Sequence, residues 1–134
     1  VRALCQKCAL STPLTAAGFD ELLREYIAGS PLDAEEGRKR LTEAAAIADA
    51  NVGFTVKTAV GCPNCNSKGY KGRMGIYEVL QNTPAMRELI QRRARPAEIF
   101  AAAIQMGMRS LRHDALEKLL QGRIDLRQAR VAYG

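Results

Sequence analysis

The chain has 134 residues, 47% of them hydrophobic and 25% charged, and its formal net charge at pH 7 is +6. This length and composition are typical of one globular domain or of two small ones, and no apolar run approaches the roughly 20 residues of a transmembrane helix. The charge is uneven, because residues 1–60 carry 7 Lys and Arg against 8 Asp and Glu, whereas residues 61–134 carry 13 against 6.

The first half of the sequence predicts a short strand and two helices. Residues 1–4 are typical of a strand, and a loop is expected over residues 11–13. Helical periodicity follows over about 19–28, and the capping-box spacing of Asp33 and Glu36 begins a second helix over about 33–50. Since the second helix has few large apolar side chains, we expect the two helices to form a hairpin rather than part of a core.

Two further strands are predicted on either side of the second cysteine pair. Apolar and polar residues alternate over 54–58, as in a half-buried strand. The apolar run from Met74 to Leu80 predicts an interior strand of a small sheet. Glu78 interrupts this run, and because a buried carboxylate needs a partner, we expect it to form an ion pair with Arg73.

Start and stop signals predict four helices after residue 82. Thr83 caps the first, Pro96 opens the second, Ser110 caps the third and Asp125 caps the fourth. The single histidine, His113, lies in the first turn of the third helix, where we expect an ordinary surface or interface role.

The four cysteines form two Cys-x-x-Cys pairs, Cys5 with Cys8 and Cys62 with Cys65. Two such turns supply the four thiolates of a closed tetrahedral zinc site, which predicts one structural Zn²⁺ per chain. No secretory signal is recognisable, and this favours metal ligation over disulfides. Iron in a rubredoxin-like site uses the same ligands, and free thiols or a redox Cys-x-x-Cys are the remaining alternatives.

Together these elements predict an α+β fold that is mostly helical, with a zinc-stapled helical arm, a small β segment and a C-terminal helical bundle. Residues 1–69 form the tetracysteine arm, and residues 70–134 form a strand and the four-helix region. The sequence contains no phosphate-binding loop of the form Gly-x-x-x-x-Gly-Lys-[Ser/Thr], and no nucleophile elbow. We therefore expect this chain to have no enzymatic activity of its own.

The basic second half leaves a nucleic-acid-binding zinc module as the alternative function. Two observations count against it. The positive charges lie mainly on predicted helices away from the cysteines, and the chain has few aromatic side chains on which bases could stack.

The run from Gly61 to Glu78 reads Gly-Cys-x-x-Cys-x-x-x-Gly-Tyr-x-Gly-Arg-x-Gly-Ile-Tyr-Glu. It resembles the tetracysteine segment of the type II secretion and type IV pilus assembly ATPases. Residues 1–8 look like the first half of the same signature. Residues 103–122 are similar to the family's Gly-Met-x-x-Leu…Asp-x-Leu…Gly pattern.

The resemblance implies that this chain is the C-terminal portion of a hexameric motor, cytoplasmic and peripheral to the bacterial inner membrane. Family members hydrolyse ATP at a phosphate-binding loop upstream of the tetracysteine segment, so ATP and Mg²⁺ concern only the parent protein. Cys5, Cys8, Cys62 and Cys65 carry over as zinc ligands. The expected partners are neighbouring ATPase subunits and inner-membrane platform proteins, with no nucleic acid and no direct membrane insertion.

Overall fold

The computed structural model describes residues 1–46 and 53–134. Within these ranges the chain forms short strands and six α-helices, which confirms the predicted α+β, mostly helical class. The strands are β1 (Arg2–Leu4), β2 (Leu10–Pro13), β3 (Thr55–Thr58) and β4 (Tyr70–Arg73). The helices are α1 (Ala16–Ile27), α2 (Ala34–Ala46), α3 (Pro84–Gln91), α4 (Pro96–Gln105), α5 (Leu111–Leu120) and α6 (Leu126–Tyr133). None of these helices is long and apolar enough to cross a membrane.

Most of the described helices begin where a side chain caps them, whereas α4 begins at Pro96 without a side-chain cap. Thr83, Ser110 and Asp125 each accept a hydrogen bond from a backbone N–H in the first turn, which confirms these predicted starts. Helix α1 begins three residues before the predicted periodic segment, because Thr15 caps it through the N–H of Gly18. The predicted end of the second helix, near residue 50, lies outside the described residues.

The strands form two antiparallel pairs, β1 with β4 and β2 with β3. Residues 11–13 were expected to be loop, and this is wrong, because they pair with β3 in continuous register from Leu10 opposite Thr58 to Pro13 opposite Thr55. Proline tolerates this end position because it lies on the edge strand of a two-stranded sheet.

The predicted strand from Met74 to Leu80 is also wrong. The strand lies earlier, at β4, and its ladder ends where the backbones of Val1 and Met74 bond in both directions. Among the described residues, no neighbouring strand continues beyond this point. Tyr77 and Val79 are therefore 66% and 68% exposed, and the segment borders a groove of about 420 Å³.

Glu78 does not pair with Arg73, so the predicted ion pair is wrong. Its side chain is exposed and accepts a hydrogen bond from the N–H of Leu111 at 3.0 Å. Glu78 therefore stabilises the start of α5, where the helix dipole favours negative charge.

The helices α1 and α2 share a core with the C-terminal helices, so the prediction of a hairpin outside the core is wrong. Tyr26 and Leu41 are fully buried, and their cluster includes Leu116 and Leu119 of α5. Arg40 of α2 also donates to the carbonyl oxygen of Ile104 at 2.9 Å, at the end of α4. The helices on both sides of the second cysteine pair therefore share one core.

Candidate metal centre

The two Cys-x-x-Cys segments fold into tight turns. In the first, the N–H of Ala9 donates to the carbonyl oxygen of Cys5 at 2.9 Å. In the second, Pro63–Cys65 forms a 3-10 turn, and Pro63 lies at its first position. Asn66 then adopts the left-handed backbone conformation (φ 53°), which asparagine tolerates better than most other residues do.

The two strand pairs bring these turns together. β1 leads directly into Cys5, whose N–H donates to the carbonyl oxygen of Gly69 at 3.0 Å, just before β4. β3 leads through Val60 and Gly61 into Cys62. The N terminus and the middle of the chain are thus joined at one place.

The four sulfur atoms lie within 4.8 Å of one another. The Sγ atoms are 3.8 Å apart for Cys5 and Cys62, 3.8 Å for Cys8 and Cys65, and 3.7 Å for Cys62 and Cys65. A tetrahedron of sulfurs each about 2.3 Å from a zinc ion has edges of about 3.8 Å. Disulfide bonds are about 2.05 Å long, so these distances fit a shared metal and not two disulfides.

Backbone and side-chain donors surround the sulfurs. Gly69 and Cys62 donate their N–H groups to Sγ of Cys65, each at 3.2 Å, and Gly61 donates to Sγ of Cys8 at 3.3 Å. The Nδ2 group of Asn64 lies 3.6 Å from Sγ of Cys5. Such donors spread the negative charge of thiolates, so this environment suits four metal-bound sulfurs.

Two glycines are needed for this geometry. Gly69 has φ of +79°, and a Cβ there would lie 2.7 Å from Cβ of Ala59. Gly61 has φ of +118°, and a Cβ there would lie 2.8 Å from the carbonyl oxygen of Ser67. A side chain at either position would be strained and would distort the second turn.

The thiols differ in how readily they ionise. Burial opposes ionisation of Cys65, but the N–H groups of Cys62 and Gly69 outweigh it and lower the pKa of this thiol to about 6. Burial raises the pKa of Cys8 to about 11, and the three neighbouring sulfurs add to this rise. A divalent cation would supply the positive charge that lets all four groups remain thiolates.

His113 is not part of this centre, and it does not lie at the surface. Its side chain is 1% exposed, its Nδ1 faces the N–H of Ser110 at 3.3 Å and its Nε2 faces the carbonyl oxygen of Tyr26 at 3.0 Å. His113 thus joins α5 to α1.

Sequence reasoning also missed Asn64, whose amide oxygen accepts a hydrogen bond from Lys71 at 3.1 Å. Its position between Cys62 and Cys65 was the signal that could have identified it as a neighbour of the sulfurs.

Comparison with known proteins identifies the family to which this chain belongs. The family described as Type II/IV secretion system protein matches residues 1–131. The chain is similar to the type IV pilus assembly ATPase PilB of Myxococcus xanthus, with 41% identity over 75 residues, which is 56% of this chain and 13% of the relative. It is also similar to the type II secretion system ATPase E of Vibrio cholerae, with 44% identity over 64 residues, which is 48% of this chain and 12% of the relative.

One alignment extends over nearly the whole chain. The type IV pilus assembly ATPase TfpB of Acinetobacter baylyi is 25% identical over 122 residues, which is 91% of this chain and 17% of the relative. The chain thus spans less than a fifth of the length of these curated relatives.

Proposed function

The chain belongs to the family of type II/IV secretion system proteins, and from this premise we propose that it is the zinc-binding C-terminal region of a hexameric motor ATPase. The relatives that support this proposal are named as ATPases of pilus assembly and of type II secretion. The parent protein hydrolyses ATP with Mg²⁺ outside this chain. This chain contributes no catalytic residue to that reaction.

The role of the zinc is structural. Its four ligands are Cys5, Cys8, Cys62 and Cys65, and the observation that supports them is the set of sulfur distances near 3.8 Å. Four protein ligands leave no position for water or substrate, so the ion fastens the chain rather than catalysing a reaction.

The region acts by contacting other proteins and not by catalysis. Residues 1–69 form the tetracysteine zinc-binding part with α1 and α2, and residues 70–134 form a strand and the C-terminal four-helix region. The core shared by α1, α2 and α5 supports treating the two parts as one unit. This unit contacts neighbouring ATPase subunits and inner-membrane platform proteins of the secretion or pilus machinery. The assembly lies in the cytoplasm, at the periphery of the inner membrane.

Two substitutions at one ligand test this function in the full-length parent protein. Cys62→Ser removes a ligand, whereas Cys62→His keeps a four-ligand set of the kind found in structural zinc sites. We expect Cys62→Ser to lose zinc together with secretion or pilus assembly, and Cys62→His to retain both. Normal secretion and piliation in a zinc-free Cys62→Ser protein would overturn the proposal.

A further inference from the structure

Helices α3, α4 and α5 end in the same kind of turn, but the turn after α3 contains an arginine where the other two contain glycine. In each turn the second residue beyond the helix has a positive φ. These residues are Gly107 after α4, Gly122 after α5 and Arg93 after α3, with φ of 103°, 72° and 54°. Glycine is the usual residue there, because in this conformation a Cβ crowds the following carbonyl oxygen. The backbone at Arg93 therefore disfavours the side chain that it carries.

Arg95 occupies a similarly unfavourable position at the start of α4. Side-chain oxygens of Thr83, Ser110 and Asp125 cap α3, α5 and α6, whereas Arg95 forms no capping hydrogen bond. Short polar residues are preferred at this position, and the helix dipole disfavours a cation there. Departures from local preference are expected at functional sites, so the turn that contains both arginines is a candidate for one.

The arginines of this turn are exposed and only partly neutralised. Residues 83–107 contain four arginines and two glutamates. Arg92 pairs with Glu98 at 2.6 Å. Arg87, Arg93 and Arg95 are exposed, and none of the ion pairs within residues 1–46 and 53–134 includes them. This end of the α3–α4 hairpin is therefore cationic.

An apolar depression of about 400 Å³ lies along α3, next to this turn. Leu80, Met86 and Ile90 line it, and Arg87 lies at its edge. Leu80 and Ile90 are 46% and 50% exposed, while Met86 is fully buried. The segment that carries Leu80 is fixed to α5, because Glu78 accepts a hydrogen bond from the first turn of that helix. We call this set the α3 surface; its residues are Leu80, Arg87, Ile90, Arg93 and Arg95.

We propose that the α3 surface binds an acidic, amphipathic polypeptide segment of a partner protein in the secretion or pilus machinery. Apolar side chains of this segment enter the depression between Leu80 and Ile90, and its carboxylates accept hydrogen bonds from Arg93 and Arg95. Guanidinium groups suit carboxylates because their donors match both oxygens. Apolar anchors in a groove, with charges at its edge, are the usual way in which amphipathic helices are recognised.

The combination of charge and shape favours a polypeptide over other anions. A nucleic acid offers phosphates but few apolar groups to cover Leu80 and Ile90, and its sites usually add aromatic side chains on which bases stack. Among the described residues that line the depression, none is aromatic. A bilayer is entered by side chains that protrude from the protein, whereas these line a concave surface. An acidic amphipathic segment supplies both the carboxylates and the apolar side chains.

Fluorescence anisotropy with the full-length parent protein tests this inference. The probe is a labelled synthetic helix with leucines on one face and glutamates on the other. We expect it to bind, and a matched peptide with glutamine in place of glutamate, or polyglutamate alone, to bind much more weakly. Each exposed ion pair contributes up to about fivefold in affinity, so Arg93→Glu with Arg95→Glu should weaken binding at least about tenfold. Leu80→Ser with Ile90→Ser should weaken it without any change in charge.

A second pair of substitutions separates binding from folding. Arg93→Gly with Arg95→Ser supplies the residues that the local backbone prefers, so hydrogen exchange in α3 and α4 should slow. Binding of the probe should nevertheless weaken several-fold, because both guanidinium groups are removed. A variant that is better protected from exchange and still binds the probe as tightly as the unsubstituted protein would overturn the inference.

A matched pair of reversals controls for net charge. Arg123→Glu with Arg127→Glu gives the same change in charge at exposed positions near the start of α6, and it should bind the probe almost normally. Binding as weak as that of the Arg93 and Arg95 reversals would refute the assignment. So would displacement of the probe by an oligonucleotide or anionic vesicles at lower concentrations than by the unlabelled peptide. A smaller oligomer in the Arg93 and Arg95 reversals would assign the surface to a neighbouring copy instead.

The inference deepens the proposed contacts with other proteins and rests on them for the class of partner. In cells, the parent protein with Arg93→Glu and Arg95→Glu should lose secretion or pilus assembly but retain zinc and ATP hydrolysis. If it retains zinc and also supports normal secretion or pilus assembly, the docking site is wrong and the proposed motor function stands. The Cys62 substitutions test that function separately.

Discussion

His113 on α5 contacts Tyr26 on α1 in two ways. The Nε2 atom faces the carbonyl oxygen of Tyr26 at 3.0 Å, and the two rings lie 4.4 Å apart at their centroids. Because the carbonyl only accepts, Nε2 carries the proton, and Nδ1 is left to accept from the N–H of Ser110. The neutral imidazole thus fits this place and the imidazolium does not.

Acid should therefore destabilise the fold through His113. Burial lowers the pKa of His113 from its ordinary value of 6.5 to about 4, so the folded state binds fewer protons than the unfolded state between these values. The contribution is fully present above pH 6.5 and is lost as the pH falls towards 4, by up to about 3 kcal/mol. Urea unfolding at several pH values measures it.

A comparison with His113→Gln separates this effect from acid release of metal. The glutamine variant keeps an amide that can donate and accept but does not titrate. We expect it to lose less free energy of unfolding than the parent chain between pH 6.5 and 4. Identical losses in the two proteins would show that His113 does not set the acid response.

Arg40 should fix α2 to the end of α4. Its guanidinium donates to the carbonyl oxygen of Ile104 at 2.9 Å, in the last turn of α4, and to that of Met108 at 3.3 Å, just beyond the helix. Arg40→Ala should cost about 1–3 kcal/mol and speed hydrogen exchange in α2. Lys39→Ala, at the exposed neighbouring position, should change neither quantity. Equal protection of α2 in both variants would refute the assignment.

Gly37 should resist substitution even though it lies within a helix. A Cβ there would overlap Cγ2 of Ile27 and lie 2.9 Å from Cδ1 of Leu23, where α1 and α2 approach closely. The helix gains about 1 kcal/mol from alanine, but overpacking costs about 1–3 kcal/mol. We expect Gly37→Ala to lower the melting temperature and exposed Thr42→Ala on the same helix to leave it nearly unchanged. A stabilised Gly37→Ala protein would contradict this packing.

Local signals in the sequence predicted much of the fold. The starts of the C-terminal helices at Thr83, Ser110 and Asp125 could be predicted because a cap and its first turn are neighbours in the chain. The strand from Met74 to Leu80 could not, because a strand also needs a partner, and the register of β1 with β4 ends at Met74. Pairing of β2 with β3 joins residues more than 40 positions apart, which local patterns do not encode.

The candidate metal centre, like the fold, could be predicted only in part from the sequence. The spacing within each cysteine pair indicated tight turns, but not the donors that approach the sulfurs from Asn64 and Gly69. His113 was misplaced for the same reason, because its partner Tyr26 is 87 residues away. Contacts of this range follow from tertiary packing and not from periodicity.

Gly69 should affect metal affinity without being a ligand. Gly69→Ala would lose the close approach to Ala59 and disturb the N–H donor to Sγ of Cys65. Loss of such outer contacts typically lowers metal affinity by about 10–100-fold. Gly72→Ala is the matched control, because Gly72 has φ of +81° but no atom within 4 Å of an added Cβ. Competition with a zinc chelator measures both; equal affinities would contradict the role of Gly69.

Metal content tests the central claim most directly. The sulfurs of Cys5, Cys8, Cys62 and Cys65 lie at the spacing of a tetrahedral thiolate site, so elemental analysis of the purified chain should find one zinc per chain. The four thiols should react with a thiol reagent only after the metal is chelated. A metal-free chain whose four thiols react at once, or a chain that contains iron instead, would contradict a structural zinc centre.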